Sequence, residues 1–254
     1  MTNTIVAQSA QAGAEGDTTG PSAPGDTGEA SEASEASIIE FSINERVFGI
    51  RAADIDEQRN SASLLINKMY AWRGYAGSHQ LAHDPNRITL TASDAGEVIG
   101  TVSMGLDGSV GLLADQVFKD CIEPYRQAGK VCEIIKLAID PTVKSKAVLA
   151  ALFHVVFIYA YKLHSCTDIF AEVNPRHRRF YETMLGFKVE CESRPNPRVE
   201  APAVLLRISS DYAVEQIARF AGHGADAGTE RSLYPHFFSK REESGIITRL
   251  MQIG

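Results

Sequence analysis

The chain has 254 residues, with 25 Lys and Arg against 32 Asp and Glu and 44% hydrophobic content, enough apolar material for one sizeable core with appendages. Residues 1–40 hold seven acids (Glu15, Asp17, Asp26, Glu29, Glu32, Glu35 and Glu40) and no Lys or Arg, so they account for the whole formal charge of −7. The remainder is balanced, which argues against a general nucleic-acid binder with its broad basic field.

Residues 1–37 contain low-complexity runs such as SEASEAS and no aromatic residue, so they are expected to form a disordered acidic tail. The start MTNTIVAQSA has neither a basic n-region nor an apolar h-region, and no secretory signal is expected. VFGIRAA, Val47 to Ala53, reads as a first strand, and residues 54–75 carry a helical pattern through Leu64, Leu65, Lys68, Met69 and Trp72. HQLAH, His79 to His83, has metalloprotease histidine spacing, but Gln80 replaces the catalytic Glu and Gly77 and Pro85 oppose a helix, so a loop is expected. RITLTAS and EVIGTVSMGLD flank Asp94-Ala95-Gly96 and predict a hairpin.

A helix is expected around Ala114 to Ala128, followed by the strand VCEIIKLAID, which Pro141 ends. Val143 to His164 reads as a helix; its apolar part, Ala147 to Tyr161, is fifteen residues long and contains His154. That is short of the ~20 residues of a membrane span, so a buried central helix, or one lining a lipid tunnel, is expected instead. Then come strand TDIFAEV, helix NPRHRRFYETMLGF, strands FKVECES and APAVLLRIS, and a helical tail from Asp211. Cys121, Cys132, Cys166 and Cys191 lack metal spacing and are expected to be free thiols in a reducing cytoplasm.

The segment from Asn174 to Phe187 is punctuated as a helix should be. Asn174 suits the N-cap, Pro175 the first turn and Gly186 the left-handed stop. Asn174 and Tyr181 are seven residues apart, two turns of helix, and so share a face. Arg176, His177, Arg178 and Arg179 form a basic knot at its start, either a solvated face or a site for a phosphate or an acidic protein.

This pattern resembles the acceptor-helix signature of the GNAT superfamily of N-acetyltransferases, and the order of elements is similar to theirs. The resemblance implies an α/β (α+β) fold, with a mixed, mostly antiparallel central sheet flanked by helices. It suggests a tail over 1–37, an acyltransferase domain over 38–210 and a helical extension over 211–254. Tyr181 to Gly186 is five residues where superfamily members usually have four, so the last turn must be wider or slightly longer. Coenzyme A users also follow the central strand with a Gly-rich pyrophosphate loop, whereas DPTVKSKAVLAAL has no glycine. Lys144, Ser145 and Lys146 remain to meet a phosphate, and a donor with a single phosphopantetheine arm is expected.

Four segments, DGSVGLLADQVF, CEIIKLAIDP, EVNPRHRRFYETMLGF and SRPNPRVEAPAVLLRI, resemble the long-chain N-acyl amino acid synthases of the FeeM type, relatives of acyl-homoserine lactone synthases. The likeness runs from about Val47 to Ile208 and includes the five-residue gap. It implies a long-chain acyl group passed from acyl carrier protein to the α-amine of an amino acid, with acyl-coenzyme A a possible donor and no permanently bound cofactor. The acidic carrier protein would meet Arg176, Arg178, Arg179, Lys144 and Lys146.

Amine attack on a thioester needs a base, oxyanion donors and an acid. Glu133 is the candidate base, a carboxylate inside an apolar strand. In the resembling lactone synthases an acid followed three positions later by a base marks the substrate end of this strand, as do Glu133 and Lys136 here; shared use of the two would require a bulge. The amides around Leu137, Ala138 and Ile139 are candidate oxyanion donors, Tyr181 the acid for the thiolate, and Asn174 either a partner for the pantetheine arm or a residue that orients the next strand. Cys132 adjoins Glu133, but its side chain is expected to point away, which favours direct transfer. The alternatives are a coenzyme A-dependent N-acetyltransferase acting on a small amine or protein, a non-catalytic domain binding acyl chains or carrier protein, and a lactone synthase.

Overall fold

A computed structural model describes residues 38–43, 45–75, 78–143, 145–224 and 228–253; the expected acidic tail and Lys144 lie outside the described residues. The chain order is β1 (Ile39–Ile43), β2 (Arg46–Ala52), α1 (Asp56–Trp72), β3 (Arg87–Asp94), β4 (Glu97–Leu106), α2 (Asp115–Ala128) and β5 (Val131–Ile139). It continues with α3 (Lys146–Phe157), β6 (Asp168–Val173), α4 (Arg178–Leu185), β7 (Lys188–Asn196), β8 (Ala201–Ser209), α5 (Ser210–Phe220) and α6 (Lys240–Ile253). The strands form one eight-stranded sheet in the order β1-β2-β3-β4-β5-β6-β8-β7. Every pairing is antiparallel except β5 with β6.

Side-chain alternation divides the sheet into two packed faces. Cys132, Ile134, Ile169 and Ala171 join the principal core beneath α3, α4 and the C-terminal helices. Val131 and Phe170 point the other way, packing with Phe118 and Ile122 of α2, while Ala138 packs with Ala62, Leu65 and Ile66 of α1. The apolar segment Ala147 to Tyr161 runs through the middle of this core: Val148, Ala150 to Ile158 and Ala160 are buried. Lys146–Leu163 is long and apolar enough to cross a membrane, and here it is the central core helix.

Several local expectations hold and some are corrected. The β3–β4 hairpin turns at Ala95 and Gly96, with φ of 47° and 86°, the double positive φ of the turn that matches strand twist. Val47–Ala53 is not the first strand, because β1 precedes it and pairs Ile39 with Ile50; five residues beside a low-complexity tail carry too little pattern to stand out. The helix expected from Val143 begins only at Lys146, where Ser145 caps the Ala147 amide at 3.2 Å, and its end widens into a π-turn over Ile158–Leu163.

The segment after β8 packs into the same core through Ala213, Leu233, Tyr234, Phe237, Ile246 and Leu250. His154 anchors it: its Nδ1 accepts the Phe238 amide at 3.0 Å. Cys121 on α2 and Cys191 on β7 are joined by a disulfide, which corrects the expectation of four free thiols; Cys132 and Cys166 are free and buried. Sequence alone could not pair them, because α2 and β7 are brought together only by the sheet.

Candidate active site

The two central strands separate where the site begins. β5 and β6 are paired only over Val131–Glu133 and Asp168–Phe170, and beyond Glu133 they diverge. On its other edge β5 stays paired with β4, but Thr101 faces Ala138 while Ser103 faces Ile135. One extra residue is therefore accommodated on β5, and Lys136 in the bulge has φ of +52°. A bulge re-aims side chains, and both Glu133 and Lys136 line the same cavity.

That cavity, of about 770 Å³, extends from Ser145, Lys146 and Leu149 at the start of α3, past Phe180 and Tyr181, to Glu133 and the loop before α2. Glu133 is 1% exposed. Its two oxygens accept the amides of Leu113 at 2.7 Å and Ala114 at 3.0 Å. Burial pushes its carboxyl up to about 7, against the lowering effect of the two amides. Its place exists because residue 105, opposite it on β4, is glycine: a Cβ there would lie 3.0 Å from Oε1. The loop offering the amides is clamped by Arg126, which binds Asp107 at 2.7 Å and Asp115 at 2.6 Å, while Asp115 takes the Leu112 amide at 2.8 Å.

Tyr181 is buried on α4 among the rings of Phe153, Phe180 and Phe187, and burial raises its hydroxyl well above its ordinary value. Tyr70 of α1 lines the same cavity, its hydroxyl pushed up to about 12 by burial. Asn174 also lines the cavity, but its Oδ1 caps the first turn by accepting the Arg176 amide at 3.2 Å. The signature helix opens as a 3₁₀ turn over Pro175–His177. It ends at Gly186 with φ of +80°, the Phe187 amide reaching back to the Tyr181 carbonyl at 3.3 Å. That bond spans more than an α-turn and accommodates the five-residue gap.

A family model described as N-acyl amino acid synthase FeeM matches residues 61–209, more than half of the chain and all of this cavity's strands. The chain belongs to the FeeM family of N-acyl amino acid synthases. No curated protein matches it. Among solved structures, FeeM, an N-acyl amino acid synthase from uncultured soil microbes, is similar at a TM-score of 0.61 and 24% identity, over 69% of this chain and 97% of that one. The AHL synthase LasI follows at 0.47 and 12%, covering 64% and 90%. An acyl-CoA N-acyltransferase from Pseudomonas aeruginosa stands at 0.45 and 14%, covering 64% and 99%. The FeeM likeness carries the fold, a GNAT-like sheet, and the family match makes this chain an N-acyltransferase.

The FeeM-family cavity brings together Glu133, Lys136, Leu137, Ile139, Lys146, Asn174 and Tyr181. Ala138 is not in its wall; it is fully buried and packs beneath α1. The basic knot does not converge on the cavity. Arg178 pairs with Glu182 at 2.7 Å, Arg179 is exposed, and Arg176 rests against Tyr75 and donates to the Arg73 carbonyl at 3.2 Å. Only His177 of the knot lines the cavity, with Arg73 beside it. Cys132 is fully buried, its thiol turned to the Asp168 carbonyl at 3.9 Å, away from Glu133.

Among the wall residues of the FeeM-family chain not singled out from sequence are Glu172, Asn196 and Arg198. Glu172 accepts from both Asn196 and Arg198, and Arg198 also donates to the Leu113 carbonyl at 2.7 Å. The reasoning that drew attention to Glu133, a carboxylate within an apolar strand, applies equally to Glu172 in DIFAEV. His79 does lie in the loop expected for HQLAH, yet it lines the cavity.

Proposed function

We propose that this enzyme transfers a long-chain acyl group from the phosphopantetheine thioester of an acyl carrier protein to the α-amine of an amino acid. The observation that carries the donor reading is the start of α3. It has no glycine, and it spends its Ala147 amide on its own Ser145 cap instead of presenting a backbone cradle to a pyrophosphate. The gap between β5 and β6 suits a pantetheine arm, and the apolar wall of Val143, Leu149, Val173 and Phe180 suits an acyl chain.

In this mechanism Glu133 takes a proton from the acceptor amine, whose nitrogen then attacks the thioester carbonyl. A carboxylate that titrates near neutrality is matched to that task. Amides of the unpaired edge of β5 near Leu137 and Ile139 hold the oxyanion. As the new C–N bond forms and the C–S bond breaks, Tyr181 gives its proton to the departing thiolate. Asn174 orients the turn beside the pantetheine arm. Lys146, with Arg176, Arg178 and Arg179 on the adjoining helix, offers positive charge to an acidic carrier protein. Such a donor places the reaction in the cytoplasm, although the Cys121–Cys191 bond weighs against a strongly reducing compartment.

The test is mass spectrometry of lipids from cells expressing the chain or Glu133→Gln, against an empty vector. New N-acyl amino acids only with the unaltered chain support the proposal and name the amine and chain length together. If no new lipid appears, and the purified protein instead acylates amines from acetyl-coenzyme A, the carrier-protein reading fails.

A further inference from the structure

Two carboxylates, Glu133 and Glu172, line the cavity, and only one is satisfied. Both oxygens of Glu133 hold backbone amides. Glu172, across the gap on β6, gives Oε1 to Arg198 and Asn196, while its Oε2 is buried with no hydrogen-bond partner. The Glu172 side chain is 9% exposed and belongs to the cavity wall. A desolvated carboxylate oxygen without a donor is costly, and a donor brought by the substrate would remove that cost.

The frame around Glu172 is rigid. Arg198 is tied to the Leu113 carbonyl at 2.7 Å and to Asn196 Oδ1 at 3.4 Å, and its amide also donates to Asn196 Oδ1, at 3.0 Å. Arg198 thus links Glu172 to the same loop that binds Glu133. The guanidinium neutralises one oxygen of Glu172 and leaves the other without a donor, and the charge of Glu172 is close enough to help push the Glu133 carboxyl up. That combination attracts a compact cation with several hydrogen-bond donors, which describes an ammonium group.

We propose that Glu172 is the seat of the acceptor's ammonium group, holding it through Oε2 beside Glu133, with Arg198 and Asn196 as positioning residues. This rests on the amine-acceptor reading above and deepens it. The acceptor binds as R–NH₃⁺, Glu133 removes one proton, and the freed lone pair attacks the thioester; the second nitrogen proton passes to the tyrosinate left when Tyr181 protonates the thiolate, and Glu172 takes no proton in the step. Hydroxyl and thiol nucleophiles carry no positive charge for this seat, so it selects amide over ester products.

The experiment is steady-state acylation by the purified full chain at fixed acyl thioester with the acceptor varied, comparing wild type with Glu172→Gln. Glutamine retains a carbonyl for Arg198 and Asn196 and loses the charge. Loss of a charge-assisted hydrogen bond is expected to raise the acceptor KM by about tenfold or more, with the donor KM unchanged. The amine analogue of the acceptor lacking its carboxylate should compete on the wild type and fail to compete on the variant. An unchanged acceptor KM, or equal rises for donor and acceptor, overturns the assignment. If Glu172→Gln loses the native circular dichroism signal, Asn196→Ala serves instead: it frees the carboxylate to turn and should raise the acceptor KM alone. A wild type that acylates simple amines but no amino acid sinks the amino-acid reading while leaving this test intact.

Discussion

The Glu133 carboxylate accepts the Leu113 amide at 2.7 Å across 20 residues of sequence. Together with the Ala114 amide it fixes a buried acid in one orientation, tied to a loop that is clamped by Arg126. The position of this group, more than its acidity, distinguishes a buried acid on a cavity wall from a stray polar residue in a strand.

Glu133→Gln should fold and lose catalysis. An amide cannot take the proton, so kcat is expected to fall by ~10²- to 10⁴-fold, the usual worth of general base catalysis. One of the two backbone amides then faces an NH₂ group, costing about 1–3 kcal/mol of stability. Acylation rates and a thermal melt on the same sample check both statements; a variant of near-normal rate removes Glu133 from the chemistry.

The pH dependence has a definite sign. Because burial lifts the Glu133 carboxyl from 4.5 to about 7, kcat/KM should rise with pH through about 7 as the base ionises. Stability runs the other way. The folded state holds its proton more tightly than the unfolded chain, so this contribution is full below pH 4.5 and is lost as pH rises through about 7. Melting curves of wild type and Glu133→Gln should converge at low pH and differ in slope across this window.

Gly105→Ala probes the space that admits Glu133. The added Cβ would stand 3.0 Å from Oε1 and 3.1 Å from Cγ, and a doubly hydrogen-bonded buried side chain has nowhere to retreat. Overpacking of this kind costs about 1–3 kcal/mol. The variant should show a lower Tm and a kcat loss without any change of charge. Equal Tm values would mean that the loop yields easily.

Tyr181→Phe separates packing from proton donation. The ring contacts with Phe153, Phe180 and Phe187 survive, so Tm should hold within about 0.5 kcal/mol of wild type. Since burial keeps the hydroxyl protonated, loss of its proton should lower kcat, and less so for a thioester with an acidic thiol leaving group. Equal losses for both leaving groups would assign Tyr181 to packing alone.

The Cys121–Cys191 bond closes a separation of 70 residues, for which chain entropy gives up to about 4 kcal/mol. A reductant should therefore lower Tm measurably, and Cys121→Ser with Cys191→Ser should match the reduced protein. An unmoved Tm under reductant would show that the bond contributes nothing.

Local signals carried much of the fold. The positive-φ pair at Ala95 and Gly96, the Ser145 and Asn174 caps and the Gly186 stop each depend on neighbours within a few residues. The buried course of α3 follows from its own apolar run. The alternation of Cys132 and Ile134 against Val131 and Ala138 depends on the packed sheet, which also decides the true first strand, since β1 is defined by its pairing with β2.

What the sequence by itself determined is the order of elements from β2 onward, their caps and turns, and the presence of an acid inside an apolar central strand with a basic residue three positions later. Tertiary structure decided what that acid touches, that Lys136 sits in a bulge, and that Cys121 meets Cys191. It also brought Glu172 to Arg198, 26 residues away. Caps and turns are made by residues adjacent in the chain and leave a local pattern. The Glu172 end of the cavity is made by strands that part after Glu133 and by Arg198, between β7 and β8, reaching Glu172 and the Leu113 carbonyl, and contacts closed through a sheet leave no spacing to read.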